Sequence, residues 1–366
     1  LYLSREEERA LQGERGDAVR WAMEMLVRKG VDAGAERLVP ISSVHIPDWY
    51  GHRSSGEWQW LATMAGMVDV PVTANPGGPD DELSAARKTA LSTLRPNSPY
   101  TFSCAPFLAG NHPAGGTMAA WGGRAAVSFA NSVLGARSET EDFSSALASA
   151  ITGLTAERGL LLEENRRPTI GVRVVDDVGR DVALLGQYLS RVVGGHVPAI
   201  SGFRSDFDGA RRFAFAVNGE GRVPLFHLCG PKPPAGLDLI EVKARECREP
   251  AQDLEPPDLL ILGCPHLSEQ EINRWGRHLA GRRPGRTEAW FFTSKLCLDK
   301  CPLTGALLAS RGRVMEDMCP LWMTGRMSSR AVGCDSPALA SCLSASGVNA
   351  RPLSQDELSH LMASEP

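Results

Sequence analysis

Between Thr169 and Thr293, short apolar runs alternate with helical patterns, and this alternation limits the possible folds more than any other feature of the chain. Thr169–Val175, Val223–Leu228, Pro256–Gly263 and Ala289–Thr293 read as strands, and the run PPDLLILG is apolar enough for a strand buried on both faces. Between them, Asp181–Val193 carries Val182, Leu185, Leu189 and Val192 on one helical face. Ser268 with Glu271 forms a capping box that opens a helix to about Gly281. Strands separated by helices predict a parallel α/β sheet, because parallel neighbours need a crossover. A last capping box, Ser354 with Glu357, opens a short C-terminal helix.

The first half reads differently. Ser4 and Glu7 cap a short helix interrupted at Gly13, and a second helix is expected from about Glu14 to Lys29, ended by Gly30. Arg37–Ser42 reads as a short buried strand, Asn75–Asp80 as a turn cluster and Glu82–Leu94 as a helix. From Tyr100 to Gly135 small residues are interleaved with Phe, Trp and Val, a composition that suits close backbone approach rather than a linker. Phe143–Thr152 is a helix stopped by Gly153. A boundary near Asn165–Pro168 divides an N-terminal α/β region, 1–165, holding the Gly-rich segment, from a C-terminal α/β region, 166–366.

Charge narrows the function. With 39 basic and 43 acidic residues, the chain has no cationic excess to neutralise a phosphate backbone, so nucleic acid is not an expected partner. No run of about 18 apolar residues appears, so no membrane span is expected. The acidic, amphipathic N-terminus is unlike a signal peptide, which makes a cytoplasmic location the expectation. The nine cysteines are irregularly spaced without a CxxC pair, which argues against a disulfide framework or a zinc ribbon.

Ligands of open parallel sheets bind beyond the carboxyl ends of strands. Gly263–Ser268 lies at such an end and runs into a helix N-terminus, which favours anions, and Thr293-Ser294-Lys295 follows the next strand in the same way. If these strands pair, the two loops are neighbours. His45 follows another strand, where a lone histidine is more often structural than catalytic. Cys104, Cys264 and Cys319 stand on three separate loops, a pattern that suits iron or an iron–sulfur centre if the fold brings them together and buried small hydrophobes if it does not.

These blocks together resemble the aconitase X family. Leu1–Glu8 with Gly13–Gly16, Ala35–His45, Asn75-Pro76 with Gly78, Cys104–Phe107, Gly110-Asn111, Ala120-Trp121, Ala130–Arg137, Ala150–Gly153, Glu164–Arg166, Leu262–Ser268 and Thr293–Lys295 follow the family's order through nearly the whole chain. The resemblance implies an aconitase-like α/β fold of several packed subdomains with parallel-rich sheets. It implies dehydration of a small hydroxy acid, as with cis-3-hydroxy-L-proline or mevalonate 5-phosphate. It also implies iron, mononuclear or in an iron–sulfur cluster, held by Cys104, Cys264 and Cys319, with Cys334 and Cys342 as rivals to Cys264. Ser43, His45 and Lys295 are the candidate catalytic residues. Asn75, Asn131, Arg137, Thr293, Ser294, Ser328, Ser329 and Arg330 are the candidate substrate-binding residues. The resemblance also implies a small swivelling domain, which supplies the base serine in aconitase relatives and is expected to lie outside these 366 residues. A Leu1 start would fit either a fused domain removed upstream or a separate partner subunit.

The chain is a divergent member by this reading. Trp121-Gly122-Gly123-Arg124 stands where the family has Trp-Ser/Gly-Glu-Ser, so an acid is lost and a cation gained. Ser138-Glu139-Thr140-Glu141 replaces Thr-Asn-Arg-Glu, removing an arginine suited to bidentate carboxylate binding. Arg326–Cys334 replaces Thr-Asn-Ser-x-Lys-x-x-His-Tyr. The expectation is an iron-dependent hydro-lyase on an altered hydroxy acid. The alternatives are the same site turned to isomerisation or cyclisation, or a non-catalytic binding or scaffold subunit.

Overall fold

The computed structural model describes residues 1–47, 70–78, 89, 102–247 and 255–364. The chain forms two units, Leu1–Asn75 with Pro79–Arg167, and Pro76–Gly78 with Pro168–Pro366. The expected helix Glu82–Leu94 lies outside the described residues except at Thr89.

In the first unit, α1 (Arg5–Leu11) opens with the Ser4/Glu7 capping box, and α2 (Asp17–Asp32) buries Val19, Ala22, Met23 and Leu26. Gly30 lies inside α2 and does not end it. A Cβ there would come within 3.2 Å of Leu1 and 3.4 Å of Ala156, so the glycine serves packing, and the turn falls to Gly34 at φ 66°. The expected strand Arg37–Ser42 shortens to β1 (Leu38–Pro40), and after a break a separate β2 (Val44–Ile46) follows. The break arises because β1 pairs antiparallel with β6 (Leu154–Ala156), whereas β2 enters a parallel sheet with β3 (Val72–Ala74), β4 (Met118–Gly122) and β5 (Arg137–Glu141). His45 is therefore the middle residue of a strand, not the residue after one. The strand order is β3-β2-β4-β5, so the chain steps to one side of β2 and returns to the other. Helix α3 (Arg124–Phe129) follows β4 and passes into a wide π-turn over Ala130–Leu134. Helix α4 (Phe143–Thr152), capped by Asp142 and stopped by Gly153 at φ 72°, packs on α2.

The second unit holds two parallel sheets. β7 (Ile170–Val174), β8 (Pro198–Ser201), β9 (His227–Leu228) and β10 (Leu239–Val242) stand in the order β10-β7-β8-β9. Helices α5 (Val182–Val192) and α6 (Phe207–Val217) follow β7 and β8 and pack on each other. The expected strand Val223–Leu228 shrinks to two residues, since Pro224 has no N–H for a ladder.

The larger sheet contains β11 (Leu259–Leu267), β13 (Glu288–Thr293), β14 (Arg313–Glu316), β15 (Ala331–Cys334) and β16 (Asn349–Pro352), ordered β14-β13-β11-β15-β16 with every pair parallel. Before β13, the short β12 (Arg283–Pro284) pairs antiparallel with the terminal β17 (Ala363–Ser364). The helices here are α7 (Glu269–Leu279), α8 (Lys295–Asp299), α9 (Pro302–Arg311), α10 (Pro337–Ala345) and α11 (Gln355–Met362). Both the Ser268/Glu271 and Ser354/Glu357 capping boxes form. β11 runs four residues beyond its expected end at Gly263, so Cys264-Pro265-His266 belongs to an irregular strand rather than to a loop after it. Its register against β13 breaks between Leu262 and Leu267, and the Cys264–Pro265 bond is cis. Mixed helices with several parallel sheets give the expected aconitase-like α/β architecture.

Candidate active site

Each unit has a sheet whose strand order reverses beside its first parallel strand, and polar residues gather at both places. In open α/β sheets such a reversal opens a crevice beyond the strand ends.

In the first unit the reversal lies between β2 and β4. His45 is fully buried. Its Nδ1 lies 3.0 Å from Thr73 Oγ1 and its Nε2 lies 2.8 Å from Asn75 Oδ1. An amide oxygen only accepts, so Nε2 carries the proton, and Nδ1 accepts from the Thr73 hydroxyl. Thr73 in turn accepts from Asn111 Nδ2 at 2.9 Å, and Asn111 Nδ2 also donates to Val44 O at 2.8 Å. Burial pushes the His45 pKa down to about 4 against these bonds, so the ring is neutral at pH 7. Ser43, also buried, accepts from Trp121 Nε1 at 2.6 Å. Gly123, at φ 81°, has its bare Cα beside this pair. A Cβ there would lie 3.6 Å from the Asn75 amide and 3.8 Å from the His45 ring. Gly122 admits no side chain, since its Cβ would come 2.2 Å from Pro47.

Other sequence-selected residues of this unit are held by the fold. Asn131, in the π-turn, exchanges two bonds of 2.9 Å with the Ser138 backbone and accepts from Arg166 at 3.1 Å. Arg137 donates to Glu163 and to Leu161 O. The acids of Ser138–Glu141 are engaged as well. Glu139 accepts from Leu160 N, and buried Glu141 pairs with Lys29 and Arg158. Cys104, half-buried, lies two residues past Phe102, which bridges to Ala74 at the end of β3.

In the second unit the reversal lies between β11 and β15, and the network is ionic. Arg211 and Arg212 on α6 meet Glu271 of α7, and Arg212 also reaches Asp335, the residue after β15, at 3.1 Å. Arg211 contacts Asp208 and donates to His266 O at 2.7 Å. Burial works against the Glu271 carboxylate, but Arg211 and Arg212 outweigh it and hold it at about 2. For Asp335 burial dominates and raises the pKa, with Arg212 and the Gly263 N–H opposing. Sequence reasoning missed this network; the Arg211-Arg212 doublet in an amphipathic segment was its one available trace.

Cys264 and Cys319 are half-buried members of this unit. His266 Nε2 donates to Met318 O at 2.8 Å, which ties the segment after Cys264 to the residue before Cys319. Burial pushes His266 to about 4, consistent with a neutral donor. Cys319 N donates to Gly77 O at 2.9 Å. Cys334 is fully buried and burial lifts its thiol well above the usual range, while Cys342 is exposed on α10. Thr293 Oγ1 donates to Leu267 O at 2.7 Å, so the two segments expected to be neighbours are neighbours. Ser294 caps α8, and Lys295 is exposed with its ammonium on Asp299. Arg330 bonds Glu288 at 2.8 Å and Asp258 O at 2.9 Å, and Ser328 and Ser329 are exposed. Among the described residues no three His, Cys, Asp or Glu side chains form a metal-holding group; Cys104 belongs to the first unit and the other two thiols to the second.

Comparison with known proteins decides the family. The model of the aconitase X first domain matches residues 1–164. The large subunit of phosphomevalonate dehydratase from Methanothermobacter thermautotrophicus is 35% identical over 352 residues, covering 87% of this chain and 88% of that protein. The chain belongs to the aconitase X family. The crystal structure of Thermococcus kodakaraensis aconitase X in its holo form superposes with a TM-score of 0.87 at 29% identity, covering 99% of this chain and all of that one. A second kind of aconitase X relative, the cis-3-hydroxy-L-proline dehydratase of Hypocrea jecorina, is 29% identical over 321 residues and is matched over 54% of its length. Both kinds are dehydratases by name, and the chain is an enzyme of that class, a hydro-lyase acting on a small molecule. No helix among the described residues is long and apolar enough to cross a membrane.

Proposed function

We propose that this chain is the large, catalytic subunit of an iron-dependent hydro-lyase that removes water from a small hydroxy acid. A small swivelling domain, fused or separate, completes its site. The observation that carries this reading is the similarity to phosphomevalonate dehydratase large subunits across 88% of such a relative.

Cys104, Cys264 and Cys319 are the proposed iron ligands. What supports them is ligand type and one link: thiols suit iron, Cys264 and Cys319 lie on segments joined through His266 and Met318, and all three are half-buried. Cys334 is the poorer choice because burial disfavours its thiolate. Bound iron would supply Lewis-acid polarisation of the substrate hydroxyl and carboxylate. The protein's own part is positioning. Neutral His45 fixes the orientation of the Asn75 amide, and Trp121 fixes the Ser43 hydroxyl. His45 thus works through Asn75 rather than as a proton carrier. Lys295, exposed beside the carboxyl end of β13, serves as a cationic steering group.

The substrate differs from the two family substrates in this reading. Where the family places a carboxylate, Gly123 stands with no side chain, its Cα beside Asn75 and His45. The arginine expected in the Ser138–Glu141 stretch is missing, and the acids there are spent on Lys29, Arg158 and Leu160.

The test is an anaerobic assay of the chain with a swivelling-domain subunit and iron. It uses a panel of small hydroxy acids that includes mevalonate 5-phosphate and cis-3-hydroxy-L-proline, with product mass as the readout. Loss of one water from another hydroxy acid, faster than from those two, is expected. Preferred turnover of either family substrate would refute the altered-substrate part. Product of unchanged mass would mean isomerisation instead.

A further inference from the structure

We infer that Asp335 is a positioning residue for Cys264, fixing the backbone of that thiol at the strand reversal of the larger sheet. The inference rests on the proposal that Cys264 binds iron.

The chain of argument starts with β11. Its register against β13 breaks between Leu262 and Leu267, so the N–H groups of Gly263 and Cys264 leave the ladder while still inside the protein. Buried N–H groups need acceptors. Asp335 supplies both: one carboxylate oxygen accepts from Gly263 N at 2.9 Å, and the other lies 3.4 Å from Cys264 N. The Asp335 N–H donates back to Ile261 O at 3.0 Å, which binds the residue to β11 at a third point. Gly263 sits at φ 110°, and a Cβ would come 2.1 Å from Phe292 O, so no other residue fits this bend. Asp335 follows β15 directly, and β11 and β15 flank the reversal. The carboxylate is therefore at the place where the topology opens a crevice, clamped to the bend that presents Cys264.

Arg212 holds the clamp from behind through its 3.1 Å contact with Asp335, and Glu271 anchors Arg212. A carboxylate that only filled a buried gap would affect folding alone. One that orients a ligand segment also sets how firmly metal is held, and losing such an outer partner typically weakens metal binding about 10–100-fold.

The experiment uses the full chain, reconstituted anaerobically with iron and sulfide, and follows iron release to excess chelator by visible absorbance. Thermal melts of the metal-free proteins run alongside. Asp335→Asn keeps the shape but cannot accept both N–H groups. Asp208→Asn is the control, a buried carboxylate that bonds Ser268 Oγ and Arg211 and touches neither Gly263 nor Cys264. Cys264→Ser reports whether Cys264 is a ligand. If Asp335→Asn does not fold, the Arg212→Met/Asp335→Leu pair removes both charges together, an exchange that cores often tolerate.

Iron release about ten-fold faster or more from the Asp335 variant, with the Asp208 variant at the parent rate, is expected. Equal acceleration in the Asp335 and Asp208 variants would overturn the inference, because the effect would be general loosening. So would parent-like release from Asp335→Asn while Cys264→Ser has lost its iron. Equal iron in the parent and Cys264→Ser would sink the underlying ligand assignment itself, and the inference with it.

Discussion

The two strand reversals solve one problem in opposite ways. Both sheets bury polar side chains where the order of parallel strands turns back. The first unit does so with neutral groups: His45, Thr73, Asn75 and Asn111 pass hydrogen bonds along a line, and Trp121 donates separately to Ser43. The second uses charges: Asp208, Arg211, Glu271, Arg212 and Asp335 alternate in sign through the core. A neutral line tolerates the loss of one bond at the cost of that bond. An ionic ladder is costly to interrupt, since each removal strands an opposite charge in a poorly solvated place.

The largest expected effect of this difference is at Glu271. Glu271→Ala removes the carboxylate that Arg211 and Arg212 share in the core and should cost about 3–5 kcal/mol in urea unfolding, or leave no soluble protein. A loss below about 1 kcal/mol would show that the ladder is not the unit's anchor. Gly263→Ala comes next. Contact with Phe292 O and a positive φ together should cost about 2–3 kcal/mol in the same experiment.

The neutral line carries a pH dependence through His45, and buried His266 in the second unit adds one of the same sign. His45 has a folded pKa of about 4 against an unfolded value near 6.5, so the unfolded chain takes up a proton that the folded chain refuses. Stability from this group is complete above about pH 6.5 and is lost as pH falls towards 4, amounting to about 2 kcal/mol at pH 5. His45→Gln should reduce the drop in melting temperature between pH 7 and pH 5. An unchanged drop would place the protonating group elsewhere. The smallest effect belongs to Lys295→Ala. Its surface pair with Asp299 is well exposed, and stability should move by less than about 0.5 kcal/mol.

Local signals explain why so much of the second unit was legible. Capping boxes at Ser268 and Ser354 are written in four adjacent residues, and both formed. β11 and β13 announced themselves by apolar runs, and their pairing brought Thr293 to Leu267 as expected. What sequence could not show was long-range. Gly30 looked like a helix stop because its reason, the approach of Leu1 and Ala156, is tertiary. The split between β1 and β2 depends on partners more than seventy residues apart, as the Val44–Ala120 and Leu38–Ala156 pairings show. The ladder from Asp208 to Asp335 joins two helices and the end of β15, and the Arg211-Arg212 doublet gave no sign of which acids would meet it. In the site, the resemblance drew attention to side chains such as Arg137 and Arg330, yet it could not reveal that Glu163 and Glu288 already engage them.

The central claim is that this chain holds iron through cysteine. The direct measurement is iron and acid-labile sulfide per chain after anaerobic purification, in the parent and in a Cys104→Ser/Cys319→Ser variant. The account predicts iron in the parent and its loss in the variant, with both proteins folded. Iron retained by the variant, or absent from a folded parent even after reconstitution, would contradict it.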